Sequence, residues 1–132
     1  MSFLLDTDIC SAYVKGDRIV FGQFMQHLGQ LHISVATLGE LWTWGLRLNA
    51  PARRLTGLSN LLSDVIVLDA TSAVARKFGE VEAQLLDRGQ AVTEFDLLIA
   101  ATALVHDLTL VTHNVQDFAH IPGLRVVDWL NT

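Results

Sequence analysis

The chain is short of cysteine, proline, lysine and positive charge, and each shortage excludes something. Its 132 residues hold one cysteine, Cys10, so no internal disulfide can form and a reducing, cytoplasmic setting is expected. Proline (2) and glycine (9) are too few for a linker-rich chain. The lysines are Lys15 and Lys77 alone. With 9 Lys+Arg against 14 Asp+Glu the formal net charge is -5, which argues against a protein that wraps nucleic acid by bulk electrostatics. No apolar run reaches the roughly 18 residues that a membrane span needs. The N-terminus has no basic region before its apolar residues, which stop at Asp6, so no secretory signal is expected. What the chain does have is 51% hydrophobic and 17% charged residues, over a length that suits one domain spanning residues 1–132.

Strand-like and helix-like patterns alternate along that length, with no internal repeat. Phe3-Leu4-Leu5 reads as a short buried strand ended by the polar turn Asp6-Thr7-Asp8. An amphipathic helix is expected over 19–31, a strand at 31–33 and a helix over 36–48. Pro51 suits the opening turn of a helix whose stripe is Leu55, Leu58, Leu61 and Leu62. A strand at 65–68 and a helix over 71–88 follow, the latter closed by Gly89. Residues 95–105 are apolar on nearly every side, the mark of a helix buried on most faces. Strands at 108–111 and 124–127 flank a short helix near 115–118. Such alternation predicts an α/β fold with a parallel sheet covered on both sides, whose functional groups sit beyond the carboxyl ends of the strands.

Four carboxylates fall where that rim is expected: Asp6, Glu40, Asp96 and Asp117. Three of them share a local pattern, Thr37-x-x-Glu40, Thr93-x-x-Asp96 and Asn114-x-x-Asp117. Each can be read as a helix capping box, which contributes on the order of 1 kcal/mol. Together with Asp6 they also read as a crowded acidic cluster whose mutual repulsion a divalent cation relieves. All four offer oxygen ligands, and no histidine pair has zinc spacing, so Mg2+ or Mn2+ and phosphate chemistry fit best. Thr112 and Asn114 either orient a carboxylate or serve the turn alone.

Outside the four acids, 9 basic residues face 10 acidic ones, so the remaining surface is nearly neutral. Arg47, Arg53 and Arg54 form the densest basic group and are candidates for phosphate contacts, against the alternative of a solvated helix junction. Trp42, Trp44 and Trp129 read as core or interface residues rather than base-stacking platforms. Cys10 reads as a small buried hydrophobe. His113 is expected near the site but not as a ligand.

The stretches Leu4-Leu5-Asp6-Thr7-Asp8-Ile9, Ser34 to Leu41, Phe95 to Ala101 and Leu110 to Phe118, with the ending Pro122-Gly123-Leu124-Arg125-Val126, occur in a familiar order and spacing. In these the chain resembles the PIN-domain ribonucleases and, within them, the VapC-like toxins of type II toxin–antitoxin systems. The resemblance covers essentially the whole chain. It implies a PIN-like three-layer sandwich whose central, mostly parallel sheet has about five strands. It also implies a Mg2+-dependent endoribonuclease, with Mn2+ as a substitute, that cuts structured RNA, often a tRNA. A homodimer and a VapB-like antitoxin that blocks the site belong to the same picture. The catalytic acids carry over to Asp6, Glu40, Asp96 and Asp117, with Asp6, Asp96 and Asp117 as metal ligands. Thr112 and Asn114 carry over as supporting residues. Asp8 is a departure, since many relatives have asparagine there, and it makes the site more acidic.

Two other readings compete. Asp6-Thr7-Asp8 and Thr112 resemble the paired aspartates and phosphate-binding threonine of haloacid-dehalogenase phosphatases. That chemistry needs a lysine after the threonine to stabilise phosphoryl oxygens, and none follows Lys77. The second is a PIN scaffold that binds a metal or a partner without catalysis. A degenerate scaffold is expected to lose acids, and all four are present.

Overall fold

Three successive apolar residues, Phe3, Leu4 and Leu5, form the strand β1 (Phe3–Leu5), and all three are buried. Side chains alternate along a strand, so β1 feeds two cores at once. Phe3 and Leu5 enter one core and Leu4 enters the other. The computed structural model describes residues 1–130; the last two positions of the expected 1–132 unit lie outside the described residues.

After β1 come helices α1 (Thr7–Val14) and α2 (Arg18–Gln26), strand β2 (Leu31–Ser34), helices α3 (Val35–Leu46) and α4 (Arg53–Asp64), and strand β3 (Ile66–Leu68). Helices α5 (Ser72–Asp87) and α6 (Glu94–Val105) lead to strand β4 (Thr109–Val111). A 3-10 turn (Val115–Phe118) connects this to strand β5 (Val126–Val127). The five strands form one sheet in the order β3-β2-β1-β4-β5. Every pairing is parallel, with Leu4 opposite both His32 and Leu110. The sheet is thus wholly parallel, as the alternating pattern predicts.

One core gathers Phe3, Leu5, Ile33 and Val111 against Ile9, Phe24, Leu41, Leu58 and Trp129, from α1 to α4 and the C-terminal segment. The other gathers Leu4 and Leu110 against Val81, Leu85, Leu97, Ala100 and Phe118, from α5, α6 and the 3-10 turn. Three layers result. Because β1 and β4 are covered on both sides, their sequences are apolar except for the buried Thr109. Helix α6 is buried as its all-round apolar pattern requires, with Leu97, Ile99, Ala100, Ala101, Thr102 and Ala103 all inside.

Some boundaries differ from expectation for physical reasons. Helix α2 ends at Gln26 instead of running to 31, because Gly29 takes a left-handed turn (φ +87°) into β2. Only Val20 and Phe24 of its apolar set are buried, while Ile19, Phe21 and Met25 face outward. Helix α3 starts at Val35, since Ser34 caps it by accepting the Thr37 N–H at 3.2 Å. Thr37 is therefore a buried residue inside the helix, and the capping box expected from Thr37 to Glu40 is not formed. The expected strand at 124–127 pairs only at Val126 and Val127.

The two-sided burial of the central strands makes a stability prediction. Leu110 is fully buried in the second core, so Leu110→Ala should lower unfolding stability by about 2–5 kcal/mol. Ile66, half exposed on the edge strand β3, should tolerate Ile66→Thr within about 1 kcal/mol. Denaturant midpoints measure both, and equal losses would contradict the layering.

Candidate active site

The chain lays β2 and β3 to one side of β1, then crosses over to place β4 and β5 on the other. The direction of winding thus reverses between β1 and β4. In parallel sheets the crevice beyond the carboxyl ends of such a pair is the place where loops part and ligands enter. Asp6 follows β1 at that point, and Thr112 follows β4.

The two are joined. Asp6 is 6% exposed and caps α1, accepting the Thr7 N–H at 2.8 Å through Oδ1. Its Oδ2 accepts the Thr112 hydroxyl, also at 2.8 Å, and its own N–H donates to the Val111 carbonyl. Burial pushes the Asp6 carboxyl up to about 6, with the Thr112 hydrogen bond opposing the rise. The nearby charges of Asp8 and Asp96 add to the rise, and the Thr7 N–H opposes it.

Asp8, one turn position further on, organises the loop after β4. It accepts the Ile9 N–H at 2.8 Å, the His113 N–H at 2.9 Å and the Asn114 side-chain amide at 3.4 Å. Burial raises the Asp8 carboxyl too, against the two N–H donors that lower it. Of the two readings of Asn114, orienting a carboxylate or capping the turn, the structure has the first. Its side chain makes no cap hydrogen bond and reaches Asp8 instead, so the box from Asn114 to Asp117 is absent. The Thr93 box is half realised: its hydroxyl accepts the Asp96 N–H at 3.3 Å at the start of α6.

Asp96 is half-buried at the crevice. Its carboxyl is raised, first by burial, opposed by Thr93, and then by the charges of Asp117, Glu40 and Asp8. These couplings, with those acting on Asp6, tie the four expected acids and Asp8 into one electrostatic cluster. Glu40 is anchored by a residue that sequence reasoning passed over. The Thr7 hydroxyl donates to Glu40 Oε1 at 2.6 Å, and the buried Thr37 hydroxyl lies 3.3 Å from the Thr7 oxygen. The signal for Thr7 was its place between two aspartates, a small hydroxyl pointing off the first turn of a helix. Asp117 is exposed on the 3-10 turn.

His113 sits beside the site, as expected, with its ring Nδ1 3.0 Å from Asp128 Oδ2. Trp129 and Cys10 are buried, as expected, and burial raises the Cys10 thiol far from reactivity. Arg47 and Arg54 share a groove of about 580 Å3 with Glu40, while Arg53 faces an adjoining groove. The basic group is therefore next to the acids, a proximity that the linear sequence did not display.

The donor set suits a hard divalent cation by type: carboxylate oxygens with a hydroxyl and an amide close by, and no thiol among them. Among the described residues, no three His, Cys, Asp or Glu side chains are already gathered to hold an ion. The acids are instead crowded and partly desolvated, a state in which added positive charge is favourable.

A sheet wound this way, with acids at its reversal, has known relatives. The chain belongs to the PIN-domain family, whose model, described as PIN domain, matches residues 3–124. Within it the chain is similar to the tRNA(fMet)-specific endonuclease VapC of Shigella flexneri, at 35% identity over 98% of both chains. It is also similar in structure to VapC-type chains in two solved complexes. DNA-bound VapBC from Salmonella typhimurium gives a TM-score of 0.92 at 32% identity, covering 98% of each chain. VapBC2 from Rickettsia felis, bound to a promoter DNA fragment, gives 0.91 at 26%, covering 98% and 99%. Family membership sets aside the haloacid-dehalogenase alternative.

The raised Asp6 carboxyl predicts an unusual pH dependence. A carboxyl raised in the folded chain holds its proton more tightly there than when unfolded. Its contribution to stability is present below the ordinary 3.8 and is lost as pH rises through about 6. Without divalent cations, Asp6→Asn should therefore be more stable than the parent by up to about 3 kcal/mol near neutral pH, with the gain vanishing towards about pH 4. Thermal unfolding across that range checks it, and a gain that persists in acid would contradict the assigned cause.

Proposed function

We propose that residues 1–132 form one nuclease unit, a VapC-type toxin that hydrolyses phosphodiester bonds in structured RNA. The observation that carries this reading is the coupled, partly desolvated acid cluster at the winding reversal of a VapC-like chain. The relatives' names point to tRNA as the substrate class and to a VapB-like antitoxin as the partner.

Each residue has a role in this reading. Asp6, Asp96 and Asp117 would hold Mg2+, or Mn2+ in its place, which supplies charge neutralisation and lowers the pKa of an attacking water. Thr112 and the Thr7 N–H fix both oxygens of Asp6, so the carboxylate does not swing when substrate arrives. Glu40, anchored by Thr7, takes a proton from the attacking water. Water attacks phosphorus, the bond to the 3′ oxygen breaks and that oxygen takes a proton from solvent, leaving 5′-phosphate and 3′-hydroxyl ends. Asp8 and Asn114 hold the loop that carries Thr112. Arg47, Arg53 and Arg54 hold RNA phosphates.

A homodimer agrees with the outward apolar residues of α2 and the turn after it, where Ile19, Phe21 and Leu28 are each about half exposed. The single buried thiol suits a reducing cytoplasm. Among the described residues, no helix is long and apolar enough to cross a membrane.

Brief expression should arrest growth and cut a small set of RNAs, and co-expression of a VapB-type partner should relieve the arrest. Asp96→Asn should abolish cutting while keeping the fold, because it removes one charge from a half-buried, crowded position. Purified protein should cut with Mg2+ or Mn2+ and not in excess EDTA. Cleavage that survives EDTA, or 2′,3′-cyclic phosphate ends, would overturn the mechanism. An intact fold with no cleavage of any RNA would favour the non-catalytic scaffold.

A further inference from the structure

Two grooves, one of them reaching Glu40, meet on one pair of side chains. The first, about 580 Å3, includes Glu40, Trp44, Arg47 and Arg54. The second, about 490 Å3, is lined by Val14, Lys15, Trp44, Arg53 and Arg54. Trp44 and Arg54 belong to both. Both volumes lie in the roughly 300–1,000 Å3 range of small-ligand clefts.

The pair is built in a particular way. The Arg54 Nη1 donates to the Trp44 carbonyl at 3.0 Å, and its guanidinium carbon lies 5.1 Å from the Trp44 ring centroid. A planar cation is thus tied down over an indole. Arg54 comes from the first turn of α4 and Trp44 from the last turns of α3. Gly45 makes the approach of these helices possible, since a Cβ there would stand 3.0 Å from Leu55 Cδ2.

Charge is gathered here as nowhere else. Lys15, Arg47, Arg53 and Arg54 are four of the nine basic residues of a chain with net charge -5. Among the described residues, none of the four has a carboxylate within salt-bridge distance, whereas Arg76, Lys77 and Arg125 each do. Free cations in a groove attract phosphates, and a flat aromatic–guanidinium face accepts a base of any sequence by stacking.

We propose that Trp44 and Arg54 form a shelf on which one unpaired base stacks, with Lys15, Arg47 and Arg53 holding the flanking phosphates. Trp44 is half-buried and lines both grooves, and this proposal gives it a role beyond the core or interface position expected from the sequence. The assignment rests on the nuclease reading and adds the side chains that would hold an unpaired base of the substrate beside Glu40. A duplex cannot present a base face to the shelf. An acidic peptide would use the cations but leave the flat face unused.

The test uses the full chain carrying Asp96→Asn, in Mg2+, with a stem-loop RNA whose randomised loop carries 2-aminopurine. The control is the same stem closed as an uninterrupted duplex. Trp44→Leu should weaken stem-loop binding by about 5- to 100-fold and abolish the 2-aminopurine quenching, with duplex binding unchanged. Trp44→Phe should keep the quenching and bind within about 3-fold of the parent. Arg54→Gln should weaken stem-loop binding and reduce the 2-aminopurine quenching, with duplex binding unchanged, and it decides the matter if Trp44→Leu fails to fold. Unchanged affinity and quenching in a folded Trp44→Leu or Arg54→Gln would overturn the shelf, even while the unsubstituted chain cleaves RNA. Loss of VapB-type partner binding with RNA binding intact would overturn it in favour of a protein groove. Failure of the unsubstituted chain to cleave any RNA would overturn the nuclease reading beneath it.

Discussion

A carboxylate held nearly out of water, where two parallel strands part, organises this protein. Asp6 is stitched to β4 twice, by its N–H to the Val111 carbonyl and by its side chain to the Thr112 hydroxyl. It also caps α1, so the same residue ends a strand, starts a helix and joins the central pair of the sheet. Fixing it fixes Thr7, which carries Glu40, and Asp8, which carries the loop of His113 and Asn114. The site is thus a set of carboxylates with hydroxyl and amide partners, mounted on the least deformable part of the fold.

That arrangement costs stability and supplies chemistry by the same physics. Burial and neighbouring acids raise Asp6, Asp8 and Asp96 together. Charged carboxylates resist crowding in a partly dry crevice, and the two apolar cores hold them there regardless. A positive ion or a proton would relieve the conflict, which is the physical ground for the cation site proposed above. Proteins commonly place their least stable arrangements at the functional site, and here the destabilised element can be named by residue.

Much of this was legible in the sequence, and the limits are physical. The strands β1 and β4 show as apolar runs because both sides are covered, and α6 shows as a helix without a polar face for the same reason. The acids could be found because each follows a strand or opens a helix, positions that a parallel sheet brings to one rim. Capping was harder to read. Thr37 and Asn114 sit three residues before an acid, yet Ser34, an equally local cap, starts the helix three residues earlier, and Asn114 turns to a tertiary partner, Asp8, in place of a local contact of about 1 kcal/mol. The groove of Trp44 and Arg54 was not legible as a unit. It depends on how α3 and α4 pack against each other, and linear spacing carries no record of that.

The central claim is that the acids form one coupled site whose protons compete with a divalent cation. Calorimetric titration of Mn2+ into the apo protein, repeated in buffers of different ionisation enthalpy, measures this directly through the protons released on binding. With Asp6 raised to about 6, binding near that pH should release a sizeable fraction of a proton, falling towards zero by about pH 8. The release should be largely lost in Asp6→Asn. Mn2+ binding without proton release near pH 6, or an equal release from Asp6→Asn, would contradict the account.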